Sequence, residues 1–175
     1  MRGTVAAMSE QAPAPGGLAL VESLVNTLDI EAGADALDTA EGRARLGVTE
    51  AELPQARELR ESLRAALLAH AGHPPHRAVT PLGELLARAP LYVAVDPADG
   101  TARLAAVDDG PLLARVALAV AEAAGRGTWT RLKACEAPAC HWAYYDRSPA
   151  GRRRWCSMSV CGARAKMRRY RAKQP

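Results

Sequence analysis

The chain has 175 residues, of which 49% are apolar, so it can build one large or two small packed domains. No stretch approaches the roughly 20 apolar residues of a membrane-spanning helix, and no secretory apolar core is present, so a helical membrane protein is excluded and secretion is not indicated. The net charge of +4 is uneven: twelve Lys and Arg accompany two acids after residue 130, whereas 11 basic and 17 acidic residues precede that point. The lack of a membrane span and of a secretory segment predicts a cytoplasmic protein. The charge pattern predicts an acidic body and a basic end aimed at a polyanion.

The first 127 residues predict a mainly helical domain with one β-hairpin. Apolar residues recur at helical spacing in several segments, and Thr49 and Glu52 have the spacing of a capping box just before the longest one. We expect helices over residues 18–30, 38–46, 53–70, 80–89 and 109–124, and strands over 91–95 and 101–107. The Ala-, Pro- and Gly-rich segment 1–17 is expected to be a disordered leader.

Polar residues on two of these helices give further predictions. Asn26 and Thr27 interrupt the apolar stripe of the first helix, and such a pair can cap a helix, face water or line a ligand pocket. We keep the ligand pocket as a hypothesis for this pair. On the helix over 53–70 the leucines form the core face. The charged residues expected on its solvent side are Arg57, Glu58, Glu61 and Arg64.

The remaining residues predict a small second module. Gly125 and Gly127 mark the expected boundary, which gives a domain over 18–127 and a module over 128–175. Strands are expected over 129–133, 142–145 and 152–155, followed by a helix from Ser157 or Ser159 to about Lys173. On that helix one face is apolar and comprises Val160, Ala163, Met167 and Tyr170. The fold class is therefore α+β, with a treble-clef or ββα-like module that ends in a basic helix.

All four cysteines lie in this module, as Cys135 and Cys140, then Cys156 and Cys161. Each pair has four intervening residues, and fifteen residues separate the pairs. Two such turns can face each other across one tetrahedral Zn2+ ion, and four Cys ligands leave no open position for catalysis. Two disulfides and a redox-sensing thiolate cluster remain alternatives. His141 follows Cys140 directly, but adjacent residues rarely bind the same ion.

The basic residues of the module predict a nucleic-acid interface. They have few acidic neighbours to pair with, and guanidinium groups contact phosphates and guanine edges. The candidate contacts are Arg152, Arg153, Arg154, Arg164, Lys166, Arg168, Arg169 and Arg171. A solvated charged face and an RNA-binding surface are the alternatives. Since the sequence shows no phosphate loop, catalytic triad or isolated carboxylate pair, we do not expect an enzyme.

The C-terminal segment resembles the bacterial CGNR zinc finger family. The matching residues are Cys135, Cys140, Trp142, Asp146, Ser148, Arg153, Cys156, Cys161, Gly162 and Arg164. The Asn of the family name is Ala163 here, so any capping or DNA contact by that Asn is lost. The resemblance implies a zinc ion held by the four cysteines and contact with DNA.

The first part of the chain looks like the ABATE domain that typically precedes this finger. The resemblance is carried by residues 18–20, by Val25, Asn26 and Thr27, and by the order of helices and hairpin. It implies membership of a family described as stress-induced transcription regulators.

These observations favour a zinc-containing, DNA-binding transcription regulator. The partners expected are duplex DNA, a second copy of the chain and a small-molecule effector, with the N-terminal domain sensing the effector or forming the dimer. A zinc-stabilised adaptor for an acidic protein surface and an RNA-binding protein are the alternatives.

Overall fold

A computed structural model describes residues 12–173 of the chain, and its elements confirm the α+β class. The α-helices are α1 Leu18–Val25, α2 Ala40–Leu46, α3 Leu53–His70, α4 Leu82–Leu86, α5 Leu112–Gly125 and α6 Ala163–Arg171. The strands form three antiparallel pairs: β1 Leu28–Asp29 with β2 Ala34–Asp35, β3 Leu91–Val95 with β4 Ala102–Ala106, and β5 Leu132–Ala134 with β6 Ala143–Tyr145. Short 3-10 turns precede α2 and β5, and a π-helical turn, Met158–Gly162, leads into α6. Within residues 12–173 no helix is both long and apolar enough to cross a membrane.

The core lies between α1, α3 and α5 and consists of Leu, Val and Ala, as the lack of Phe requires. Val21, Leu63 and Val116 show how complete the burial is, since none of them has any exposed surface. Burial of one such side chain contributes about 1.5–3 kcal/mol. The three helices therefore form one packed body, to which the remaining elements attach.

α1 ends at Val25, so the helix predicted over residues 18–30 is too long. The Thr27 hydroxyl donates to the Leu24 carbonyl at 2.8 Å and so satisfies an orphan acceptor of the last turn. The chain then enters the β1–β2 hairpin, whose turn contains Gly33 at φ 65°. This left-handed conformation favours glycine.

α3 confirms the longest predicted helix, but its charged residues are not all on the solvent side. Glu61 and Arg64 are buried, contrary to the prediction, together with Arg60. The Glu61 carboxylate accepts from Arg60 Nε at 2.8 Å and from Arg64 NH1 at 2.9 Å. Arg60 NH1 also reaches Asp35 at 2.7 Å. Because these charges neutralise one another, burying them costs far less than burying any one alone.

The predicted hairpin is confirmed, with Val93 of β3 opposite Leu104 of β4. β4 packs on α5 through Ala105, which is buried. Val93 is 62% exposed and Val95 60% exposed, so the outer side of β3 is apolar and faces solvent.

The C-terminal module, called the finger below (residues 128–173), shares the core of the body. Leu132 and Ala134 of β5 are fully buried in the same apolar cluster as α1 and α3. Gly127 at φ 68° turns the chain from α5 into the finger. The two parts of the chain are thus one packed unit across the expected boundary.

Residues 1–11 of the expected leader lie outside the described residues, whereas 12–17 differ from the expectation of disorder. Ala14 is buried, and its backbone N–H donates to the Glu22 carboxylate at 2.7 Å. Arg147 of the finger donates to the carbonyls of Ala12 and Pro13 at 3.0 and 2.7 Å. The segment therefore joins the body to the finger.

Candidate metal centre and cationic helix

The first cysteine pair lies in a tight turn between β5 and β6. Cys135 extends the strand pairing by donating from its N–H to the Trp142 carbonyl at 2.9 Å. The turn closes where the N–H of Cys140 donates to the Ala137 carbonyl at 2.8 Å. His141 then adopts a positive φ of 48°, and its Nδ1 lies 2.9 Å from the Cys135 carbonyl. This contact places His141 outside the sulfur cluster.

The second cysteine pair lies where a loop passes into α6. Ser157 caps the π-helical turn, since its hydroxyl accepts from the N–H of Val160 at 3.2 Å. Cys161 is in that turn, whereas Cys156 precedes it. The residues from Arg152 to Trp155 form a loop, so the strand predicted there is wrong.

The four sulfur atoms form one compact cluster, with all of them within 4.8 Å of one another. The sulfur of Cys156 lies 3.6 Å from that of Cys140 and 3.8 Å from that of Cys161. A tetrahedral site with Zn–S bonds of about 2.3 Å has sulfur–sulfur distances of about 3.8 Å. All four cysteines are free thiols, since a disulfide requires a separation of about 2.05 Å. The residues present therefore fit a tetrahedral metal ion.

The close packing of the four thiols also favours a bound cation. Hydrogen bonds from Cys140 and Cys156 lower the pKa of Cys135. The same network raises the pKa of Cys140 and of Cys156, and burial raises the pKa of Cys161. Four thiolates packed this closely repel one another, so a divalent ion is what would let all of them be ionised.

Asp146 organises the loop that connects the two cysteine pairs. Its buried carboxylate accepts from Lys133 Nζ at 3.0 Å, from the backbone and hydroxyl of Ser148 at 3.0 and 2.6 Å, and from the N–H of Arg153 at 2.9 Å. Burial alone would raise the pKa of Asp146, but these hydrogen bonds hold it well below its usual range. Lys133 also donates to the Gly151 carbonyl at 2.5 Å. The buried pair thereby fixes the path of the chain toward Cys156.

Two of the three consecutive arginines predicted to contact nucleic acid make contacts inside the finger. Arg153 donates to the Cys156 carbonyl at 2.8 Å and lies 5.2 Å from the centre of the Tyr144 ring. Arg154 pairs with Glu136 and covers the Trp155 ring, although about half of its side chain is exposed. Arg152 is exposed.

On α6 the basic side chains are exposed, and one of them contacts the body. Arg164 donates to both carboxylate oxygens of Glu31, at 2.9 and 2.8 Å, on the turn between β1 and β2. This contact differs from a purely outward orientation of the predicted arginines. The other predicted contacts on the helix face solvent: Lys166, Arg168, Arg169 and Arg171.

α6 itself contributes no buried residue to the fold. The residues that anchor it are Cys161 and Gly162, which are buried in the preceding turn. The apolar face predicted on the helix points outward, with Met167 51% and Tyr170 59% exposed. The position of the helix therefore depends on the sulfur cluster more than on apolar packing.

Asn26 and Thr27 line one side of a shallow groove beside α2, but their polar groups are already engaged. Asn26 Nδ2 donates to the Ala143 carbonyl at 3.0 Å, and the Ala143 N–H donates to Asn26 Oδ1 at 2.7 Å. The Thr27 hydroxyl accepts from Arg60 at 3.0 Å. The structure thus gives Asn26 a role in attaching the finger, and the ligand pocket stays a prediction.

Sequence reasoning missed several residues that hold the finger in place. His70 Nδ1 lies 2.8 Å from the Leu132 carbonyl, and its ring meets the Trp129 ring edge-on at 4.9 Å. Lys133 is one of the twelve basic residues counted in the basic end of the chain, yet it is buried. Alternation between Leu132 and Ala134 would place it on a solvent face, so no local signal pointed to its burial.

Two protein-family models match this chain. The ABATE model, described as "Putative stress-induced transcription regulator", matches residues 18–127. The CGNR zinc finger model matches residues 131–174. A search of curated proteins found no match.

Proposed function

This chain belongs to the ABATE family and carries a CGNR zinc finger, and on that premise we propose that it is a cytoplasmic, zinc-containing transcription regulator that binds duplex DNA. In this proposal Cys135, Cys140, Cys156 and Cys161 hold one Zn2+ ion. The ion has a structural role, because four thiolate ligands leave no position for a reacting water. The proposal assigns no catalytic activity to the chain.

The observation that carries the proposal is the cationic helix α6, which is presented by the sulfur cluster and is free of acidic residues. Four basic side chains project from it into solvent, and they are Lys166, Arg168, Arg169 and Arg171. A fifth, Arg164, is exposed and pairs with Glu31. A helix that packs little and carries this much charge is poorly explained as a structural element. It is well explained as a surface for phosphates, since clustered Lys and Arg neutralise the charges of a nucleic-acid backbone.

Arg152 and Arg154 extend this cationic surface from the loop beside the helix. Arg153 is expected to act through the finger's structure, given its hydrogen bond to the Cys156 carbonyl. With about six phosphate contacts, the logarithm of affinity should fall with the logarithm of salt concentration with a slope of roughly −5.

The test is fluorescence anisotropy of a labelled duplex, with the full-length, zinc-loaded protein titrated at several salt concentrations. The double substitution Arg168→Ala/Arg171→Ala should weaken binding and make the salt-dependence slope shallower by about two units. The matched control is Arg88→Ala/Arg103→Ala, which removes the same charge from exposed sites near the hairpin β3–β4. Equal effects of the two pairs, or a slope near zero, would show that α6 is not the DNA contact.

An adaptor that docks an acidic protein surface is the second candidate. The contact between Arg164 and Glu31 favours this candidate, because Arg164 of the helix binds a protein carboxylate there. Competition against the labelled duplex distinguishes the two functions. If the chain binds DNA, unlabelled duplex should displace the labelled duplex at a lower concentration of phosphate groups than the concentration of sulfate groups that heparin requires. Displacement by heparin at the lower concentration of anionic groups would favour the adaptor.

The body is proposed to bring two copies of the chain together or to sense an effector. Dimerisation has the firmer basis, because β3 carries no charged residue and, among residues 12–173, pairs with β4 alone, which leaves its outer edge open. Light scattering tests this role: the full-length chain should be a dimer, and the Val93→Lys variant should be a monomer. A wild-type monomer at all concentrations would exclude the dimer.

A further inference from the structure

An exposed apolar strip runs along α6 and the π-helical turn before it, and it consists of Val160, Ala163 and Met167. Val160 is 42% and Met167 51% exposed, although Val and Met are among the residues most often buried. Cys161 and Gly162 in that turn are buried and anchor the helix to the rest of the finger. Folding of the finger therefore does not account for the strip.

Arginines border this strip on one side. Arg164, Arg168 and Arg171 share one shallow surface groove with the three residues of the strip. The chain from residue 157 to residue 173 contains no acidic residue. The occupant of this face must therefore be an anion that also presents small apolar groups.

The dimensions of the helix favour a nucleic acid over a lipid surface. α6 has nine residues and is about 13 Å long, and its apolar strip is only one residue wide in places. Helices that lie in a membrane interface bury a broad apolar face, which α6 lacks. The major groove of B-DNA is about 12 Å wide and admits one α-helix.

Within the major groove, the apolar group that a base pair offers is the C5-methyl of thymine. We infer that the strip of Val160, Ala163 and Met167 reads thymine methyl groups in the major groove, while the bordering arginines contact the flanking phosphates. The inference rests on the proposed function, because it requires that α6 bind duplex DNA. It makes Met167 and Val160 specificity-determining residues for A·T base pairs.

The test compares two duplexes that differ only in this methyl group. One is an alternating A–T duplex, and the other has deoxyuridine in place of every thymidine. Affinities of both for the full-length, zinc-loaded protein are measured at one salt concentration. The wild type should prefer the thymidine duplex by about fourfold for each methyl group buried.

The substitutions Met167→Ala and Val160→Ala should reduce this preference, and the double variant should abolish it, while zinc content and helicity stay unchanged. The control Val107→Ala shortens an exposed apolar side chain just after β4 and should keep the full preference. The deoxyuridine comparison cancels the phosphate contacts, since they are the same in both duplexes.

Each outcome supports or overturns the inference. A wild type that binds both duplexes equally would overturn it and leave DNA binding intact. A preference that the double variant retains would also overturn it, because the methyl groups would be read elsewhere. Binding of neither duplex would overturn the proposed function as well, and tighter binding to anionic phosphatidylglycerol vesicles would assign the face to a membrane.

Discussion

Asn26 and Ala143 are 117 residues apart in the sequence, yet the amide of Asn26 pairs with both backbone groups of Ala143. The side chain thus takes the place of a neighbouring strand at the edge of β6. Because α1 supplies Asn26 and the finger supplies Ala143, this pairing ties the finger to the body.

Replacing Asn26 by Ala should lower the free energy of unfolding by about 1–3 kcal/mol, since a buried donor and a buried acceptor of Ala143 lose their partner. Asn26→Asp should recover only part of the loss, because a carboxylate can accept from the N–H but cannot donate to the carbonyl. Urea denaturation measures the change. Ser23→Ala, at an exposed position of the same helix, is the control and should have little effect.

Removing the metal should melt α6 and leave the body folded. The helix has no buried residue, and the second apolar cluster consists largely of the cysteines themselves, so little else holds it once the ion is gone. By contrast, Leu132 and Ala134 stay in the main core. Hydrogen exchange after chelation should show lost protection from residue 156 onward.

In the same experiment α3 and α5 serve as internal controls, and their amides should keep their protection. Loss of protection in those helices would contradict a local role for the metal. A Cys161→Ser variant should reproduce the effect of chelation, because Cys161 is the proposed ligand in the turn that precedes the helix.

Stability should decrease as the pH falls from 7.5 to 6.0. Burial lowers the pKa of His70, and its hydrogen bond to Leu132 only partly opposes this. A histidine whose pKa is lower in the folded state stabilises the fold above its unfolded pKa of about 6.5, and this stabilisation is lost as the pH falls below that value. Urea denaturation of zinc-saturated protein at the two pH values measures the loss.

His70→Gln should reduce this pH dependence, because the amide can still donate to the Leu132 carbonyl but does not titrate. Some dependence should remain, since burial also lowers the pKa of His76. An unchanged dependence in the variant would show that His70 is not its source.

Glu31→Gln should strengthen binding of duplex DNA. Glu31 holds the guanidinium of Arg164 with both carboxylate oxygens, so it competes with a phosphate for that side chain. Without this competition Arg164 can form one more phosphate contact. The slope of the logarithm of affinity against the logarithm of salt concentration should therefore become steeper by about one unit. Glu84→Gln, an exposed carboxylate on α4, makes the same charge change elsewhere and should not steepen it.

The sequence predicted the elements that have a local signal. Periodic leucines predicted α3, and the spacing of Cys135, Cys140, Cys156 and Cys161 predicted the sulfur cluster, because each pair is built by one short turn. The family resemblance is confirmed over both regions.

The differences arise where distant residues meet. Periodicity assigns every charge to solvent, and it fails at Glu61 and Arg64 because their partners include His76 and the Val25 carbonyl, which lie on other segments. The loop from Arg152 to Trp155 has a strand-like pattern, but the Asp146 carboxylate holds the N–H of Arg153 and prevents strand pairing. No local feature of Asn26 points to Ala143.

The burial of Leu132 and Ala134 among side chains of α1 and α3 limits how this finger can be reused. If the finger were fused alone to another protein, the apolar side of β5 would be exposed to water, and Ala143 would lack the Asn26 amide. A chimera that is to keep the finger soluble must therefore also include α1 and α3, so the finger is not an independent domain for protein engineering.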